Sequence, residues 1–96
     1  MLKHVVFMKF KPGTTDAQIA DLKKSLDALS AIISEIRGFQ CGRDVVRSER
    51  SYDFALTSDF DDLEAMQRYQ VHPNHVAVVA KVKALSETIL AVDFNY

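Results

Sequence analysis

The segment Leu2–Phe10 most narrows what this chain can fold into. Leu2, His4, Val6, Met8 and Phe10 alternate with Lys3, Val5, Phe7 and Lys9, so a strand here is apolar at the centre of both faces. Its Val- and Phe-rich composition and the closing Lys11-Pro12-Gly13 are strand signals. A strand with two apolar faces belongs inside a sheet that is covered on both sides. The chain's own helices can cover one side. At 96 residues the other side calls for something more, and a second copy is the simplest cover. Small domains leave much of their surface exposed, and self-association is a common way to bury it.

The remaining elements follow from periodicity. Thr15 and Gln18 have capping-box spacing, and Asp16 suits the positive end of a helix. Ile19, Leu22, Leu26, Leu29, Ile33 and Ile36 recur at steps of three and four, which predicts one apolar helix stripe against a core. Gly38 stands where a helix C-terminal glycine belongs. Phe39 to Arg47 is expected as a second strand, with Gly42 at a bulge. Arg47-Ser48-Glu49-Arg50-Ser51 reads as a polar turn before a third strand, Tyr52 to Phe60. Tyr52, Phe54 and Leu56 share one face of that strand in this reading.

Asp61 is expected to cap a short helix carrying Leu63, Met66 and Tyr69 and ending near His72. Pro73 then suits the first turn of another helix, where its missing N–H would have been unpaired anyway. That helix is expected to reach about Ser86 with Val76, Val79, Val82 and Leu85 inward. Ile89 to Phe94 is the last strand, with Leu90, Val92 and Phe94 on one face and Ile89, Ala91 and Asp93 on the other. The order predicts one α+β domain over residues 1–96 with the ferredoxin-like βαββαβ arrangement, an antiparallel sheet with helices on one face.

Charge narrows the partners. Twelve basic and 13 acidic residues leave a formal net charge of −1, which argues against nucleic acid and anionic membranes as partners. No apolar run approaches the roughly 18 residues of a membrane span, and Met1–Phe7 lacks the features of a signal peptide. The single cysteine, Cys41, cannot close an internal disulfide and reads as a packing residue, which suits a reducing cytoplasm. Arg43, Arg47, Arg50, Lys81 and Lys83 read as solvated surface, too scattered among acids for a nucleic-acid face.

The groups that can move a proton near neutral pH gather in Met66–Val76, which holds Tyr69, His72 and His75 around a helix break. If the chain bends at His72-Pro73, Tyr69 and His75 reach one cavity. There a phenol can donate to a developing oxyanion while an imidazole acts as base. The plainer alternative makes Tyr69 a core residue with its hydroxyl at the rim, and His75 a partner of nearby backbone. His72, next to the proline, reads as a turn or cap residue. His72 and His75 have helical metal-ligand spacing, but Pro73 interrupts the helix and no third ligand stands out, so no metal is expected. His4 is either a satisfied core histidine or a further polar group of the same cavity.

Three stretches together resemble the stress-responsive A/B barrel (Dabb) family: Val5-Val6-Phe7-Met8-Lys9-Phe10-Lys11, Tyr69-x-x-His72-Pro73-x-His75 and Leu90-Ala91-Val92-Asp93-Phe94. The resemblance covers essentially the whole chain. It implies a protomer whose sheet packs face to face on that of a second copy, making a dimeric α+β barrel, with Val5, Phe7, Leu90 and Val92 towards the partner. Members of the family that cyclise polyketides by aldol condensation use no cofactor, and none is expected here. Resemblance to them implies Tyr69 and His75 as a catalytic pair and His4 as a substrate-binding residue. It also implies Val6, Met8, Leu22, Leu26, Phe54, Leu56, Ile89 and Ala91 as the lining of a pocket between sheet and helices. The chain departs from those members at Phe54, where they carry a histidine, and at Leu22 and Leu26, where they are aromatic.

Three readings of function stand at this point. The chain binds a small apolar or aromatic carbonyl compound; or it is a cofactor-free cyclase-like or isomerase-like enzyme using the Tyr/His pair; or its role is structural dimerisation.

Overall fold

A computed structural model describes residues 1–96. The elements run β1 (Leu2–Phe10), α1 (Asp16–Ile32), β2 (Gly38–Arg43), β3 (Phe54–Phe60), α2 (Leu63–Val71), α3 (Pro73–Leu85) and β4 (Ser86–Asn95). One antiparallel sheet has the strand order β2-β3-β1-β4. This is the ferredoxin-like βαββαβ fold, with α2 and α3 as the two parts of one broken helix.

β1 lies inside the sheet, paired to β3 on one side and β4 on the other. Leu2, His4, Val6, Met8 and Phe10 are buried on its helix-facing side, while Phe7 stays 44% exposed on the outer side. Across the core, Ile19, Leu22, Leu26 and Leu29 form the buried stripe of α1. Full burial of such a side chain is worth about 1.5–3 kcal/mol, whereas a surface ion pair is worth about 0–1. The layer between sheet and α1 therefore holds the fold more firmly than the surface charges do. At the start of α1 the Thr15 hydroxyl accepts from the Gln18 N–H at 3.2 Å, and the Gln18 side chain accepts from the Thr15 N–H at 2.9 Å. This completes the capping box.

Several boundaries differ from the sequence reading, each for a local reason. α1 ends at Ile32, because Ile33 turns extended while its N–H still reaches the Leu29 carbonyl at 2.9 Å. Ile33 and Ile36 enter the core from the connecting turn instead of from the helix. Gly38 is thus no helix stop. It opens β2 opposite Asp59, where an added Cβ would lie 2.6 Å from the Asp59 Oδ2. Gly42 pairs in regular register with Ala55, and the sheet's irregularity falls between Lys9 and Phe10 against β4.

The β2–β3 hairpin is shorter than expected because side chains organise its connection. Arg47, at a left-handed φ of 55°, donates to the Asp53 carboxylate at 2.8 Å and to the Tyr52 carbonyl at 3.3 Å, and Asp44 accepts the Arg47 N–H at 2.6 Å. Asp53 also accepts the Phe10 N–H at 2.7 Å. Tyr52 consequently leaves the Phe54 face and meets the Phe7 ring on the outer side, centroids 6.4 Å apart.

Asp62, not Asp61, caps α2, accepting the Ala65 N–H at 2.9 Å, while Asp61 accepts two bonds of 3.1 Å from Arg37. α3 buries Val78 and Val82 and leaves Val76 55% exposed, so its phase differs from the expected one. It runs directly into β4, which starts three residues before the expected Ile89. No helix is long and apolar enough to cross a membrane.

Replacing Thr15 by Ala should lower unfolding free energy by about 1 kcal/mol. Leu22→Ala, at a fully buried position, should lower it by about 2–5 kcal/mol. Urea denaturation measures both, and equal losses would contradict the dominance of the α1 layer.

Candidate active site

The helix break is built by His72. Its backbone N–H bonds the Tyr69 carbonyl at 3.1 Å and closes α2, while its side chain accepts the Asn74 N–H at 3.2 Å and opens α3. Pro73 occupies the first turn of α3, where it sacrifices no helical bond. The expected turn-and-cap role of His72 is what the geometry contains. The bend brings Tyr69, from α2, and His75, from α3, side by side with ring centroids 4.2 Å apart. Phe60 backs the tyrosine at 4.9 Å, and His4 of β1 meets it edge-on at 6.3 Å.

The rings of Tyr69, His75 and His4 line one end of a cavity of about 230 Å³ between the sheet and the helices. Val6 and Met8 of β1, Leu56 of β3, Ile89 and Ala91 of β4 and Leu26 of α1 supply apolar wall. α3 supplies Val78, Val79 and Val82, with Lys83 beside them. Three further concavities contain no histidine. No group of three or more His, Cys, Asp or Glu side chains is placed to hold a metal ion.

Of the residues named from sequence, His4, Val6, Met8, Leu26, Leu56, Tyr69, His75, Ile89 and Ala91 meet at this cavity. Leu22 and Phe54 do not. Leu22 is one turn earlier on α1, fully buried beside Lys81, Ala84 and Leu85. Phe54 is buried against Phe10, centroids 6.0 Å apart, opposite Met8 at the end of the strand pair.

Two contributions escaped the sequence reading. The valines of α3 and Lys83 depend on a helix phase that the continuous apolar run Val76–Ala80 leaves undefined. The other is Asp93, which pairs with the Nδ1 of His4. Its only sequence signal is an acid on the Ile89/Ala91 face of β4. The strand register places it directly opposite His4.

Hydrogen bonding fixes the protonation of His75. Its Nδ1 lies 2.9 Å from the Gln70 carbonyl. A carbonyl only accepts, so Nδ1 carries the proton and Nε2 keeps its lone pair. Burial pulls the His75 pKa below the ordinary 6.5, with the Gln70 bond opposing and His4 and His72 adding to the fall. Burial alone pushes the Tyr69 phenol up to about 12. Near neutral pH the pair is therefore a neutral donor beside a neutral acceptor. The Cys41 thiol is also pushed up to about 12, first by burial and then by its bond to Asp27, which leaves it unreactive.

Fold and cavity together place the chain among ferredoxin-like protomers of the α+β barrel class. It belongs to the stress-responsive A/B barrel (Dabb) family, whose model matches residues 2–96. Olivetolic acid cyclase of Cannabis sativa is 30% identical over 96 residues, spanning 98% of this chain and 95% of the cyclase. A dimeric ferredoxin-like protein from Thermobifida fusca superposes with a TM-score of 0.91 at 27% identity, covering 99% of this chain and 90% of that one. Hydroxynitrile lyase from Passiflora edulis shares the fold, with a TM-score of 0.87 at 18% identity, covering 97% of this chain and 90% of the lyase.

The lowered His75 pKa has a definite pH signature. Above 6.5 the imidazole is neutral in folded and unfolded chains alike. Between that value and the lower folded one, only the unfolded chain takes the proton, so stability falls as pH falls. An NMR titration should place His75 below 6.5. His75→Gln should flatten the loss of unfolding free energy on acidification through that window.

Proposed function

We propose that the cavity takes a small apolar or aromatic carbonyl compound, on which Tyr69 and His75 act as an acid–base pair. The observation that carries this reading is the 4.2 Å approach of the two rings at the end of an apolar cavity, with the His75 Nδ1 already bound to backbone. Nε2 of His75 is the base that removes a proton from the carbon next to the carbonyl. The Tyr69 hydroxyl donates to the carbonyl oxygen and stabilises the enolate that forms. His4, tied to Asp93 through Nδ1, binds substrate with its remaining nitrogen. At about 230 Å³ the cavity lies below the roughly 300–1,000 Å³ of drug-sized sites, which restricts the ligand to a compact body. Similarity to olivetolic acid cyclase supports a reaction of cyclase type.

The outer face of the sheet is the proposed interface of a homodimer. Phe7 is 44% exposed, Leu90 49% and Val92 61%, and Val5 joins them on that face. Sheet-to-sheet packing against a second copy buries these residues and closes the barrel. The dimeric T. fusca relative supports this arrangement.

Aryl and alkyl ketones incubated with the protein in D₂O test the chemistry by NMR. The expected outcome is exchange of the protons next to the carbonyl, falling by about 10²–10⁴-fold in His75→Ala and also falling in Tyr69→Phe. Ligand-induced thermal stabilisation without exchange would reduce the proposal to binding alone, and neither effect would sink it. Sedimentation at micromolar concentration should give a dimer for the wild type and a monomer for Phe7→Glu. A monomeric wild type would overturn the interface.

A further inference from the structure

Five residues of α3 reach the cavity: His75, Val78, Val79, Val82 and Lys83. Their spacing of three, four, seven and eight from His75 makes them one face of the helix. That face is polar at both ends and apolar between. His75 lies at the Tyr69 end, and Lys83 stands eight residues on, roughly 12 Å along the axis. A lysine on a helix leans back towards the N-terminus, and Lys83 lines the same cavity as the valines.

The charge pattern around Lys83 is one-sided. No Asp or Glu lines the cavity. Lys81, two residues earlier, is held by Asp21 at 3.1 Å and Ser25 at 2.8 Å, whereas Lys83 has no partner among the ion pairs or hydrogen bonds. Lys83 is itself exposed, as are the wall residues Ile89 and Ala91 of β4, so the cavity opens to solvent along this side. A cation in the last turn of a helix also complements the negative helix end. That role accounts for its charge but not for its place in the wall of an otherwise apolar cavity.

We propose that Lys83 anchors a carboxylate of the ligand at the cavity mouth, so that the compound is a keto acid whose carbonyl and carboxylate are separated by an apolar segment. The proposal rests on the cavity being the ligand site, and narrows the ligand class. The carbonyl lies at Tyr69 and His75, the apolar segment lies along Val78, Val79 and Val82, and the carboxylate meets the ammonium with a charge-assisted bond.

Calorimetric titration with a panel of aryl and alkyl keto acids, γ-benzoylbutyrate among them, and with the ketones that lack the carboxylate tests this directly. Lys83→Met should weaken keto-acid binding by about fivefold and leave the ketones unchanged, and Lys83→Arg should restore the preference. Added salt should weaken the acids more than the ketones. If Lys83→Met leaves the acid-to-ketone ratio as in wild type while Val79→Trp still excludes both, the anchor is wrong and the cavity reading stands. If no member of the panel binds the wild type, both fall.

Discussion

The pairing of β1 with strands on both sides is the constraint from which the rest follows. Side chains alternate with period two, so a slip of one residue would send His4, Val6 and Met8 outward and Lys3 and Lys9 into the core. Burying either lysine there without a partner would cost far more than any surface ion pair supplies. The observed register instead leaves Lys3 on the outer side, 2.8 Å from Asp59. The same register sets Ser58, His4 and Asp93 in one row across three strands. The His4–Asp93 pair is thus a consequence of how the sheet aligns its hydrophobic residues.

The second constraint is the break between α2 and α3. In an unbroken helix, residues six apart lie on different sides, roughly 9 Å from each other along the axis. With His72 closing one helix and starting the next, Tyr69 and His75 come from separate elements and face each other. The proline lets this happen at little energetic cost because it occupies a position whose N–H has no helical partner. The Gln70 carbonyl near the end of α2 is left free to accept from His75, so the same break also sets the tautomer.

Legibility in the sequence followed the range of the interaction. The capping box at Thr15, the α1 stripe and the alternation of β1 are encoded within a few residues and were readable. Gly38 and Asp61 misled because their true partners, Asp59 and Arg37, are distant in sequence. The hairpin ends at Arg43 and Phe54 rather than Arg47 and Tyr52 because Asp53 reaches back to Phe10. At the site, Tyr69 and His75 were readable from the helix break. Asp93 needed the β1–β4 register, and the α3 wall needed the orientation of a valine run with no polar face to give its phase. Leu22 and Leu26 share a stripe, and only the placement of α3 across it decides that one is core and the other cavity wall.

Burial acts on the two rings in the sense that their proposed chemistry needs. It disfavours charge on both, raising the phenol and lowering the imidazole. A charged imidazole would have no lone pair to take a proton, and a phenolate would have no proton to give. The nearby histidines lower His75 further, so the cluster itself keeps its imidazole neutral. The carboxylate of Asp93 lies on His4 instead of His75, and His75 bonds a neutral carbonyl. A carboxylate on His75 would have held its proton more tightly and raised its pKa. The three rings are thus set apart by their partners: a carboxylate for His4, a carbonyl for His75, and for Tyr69 the space of the cavity.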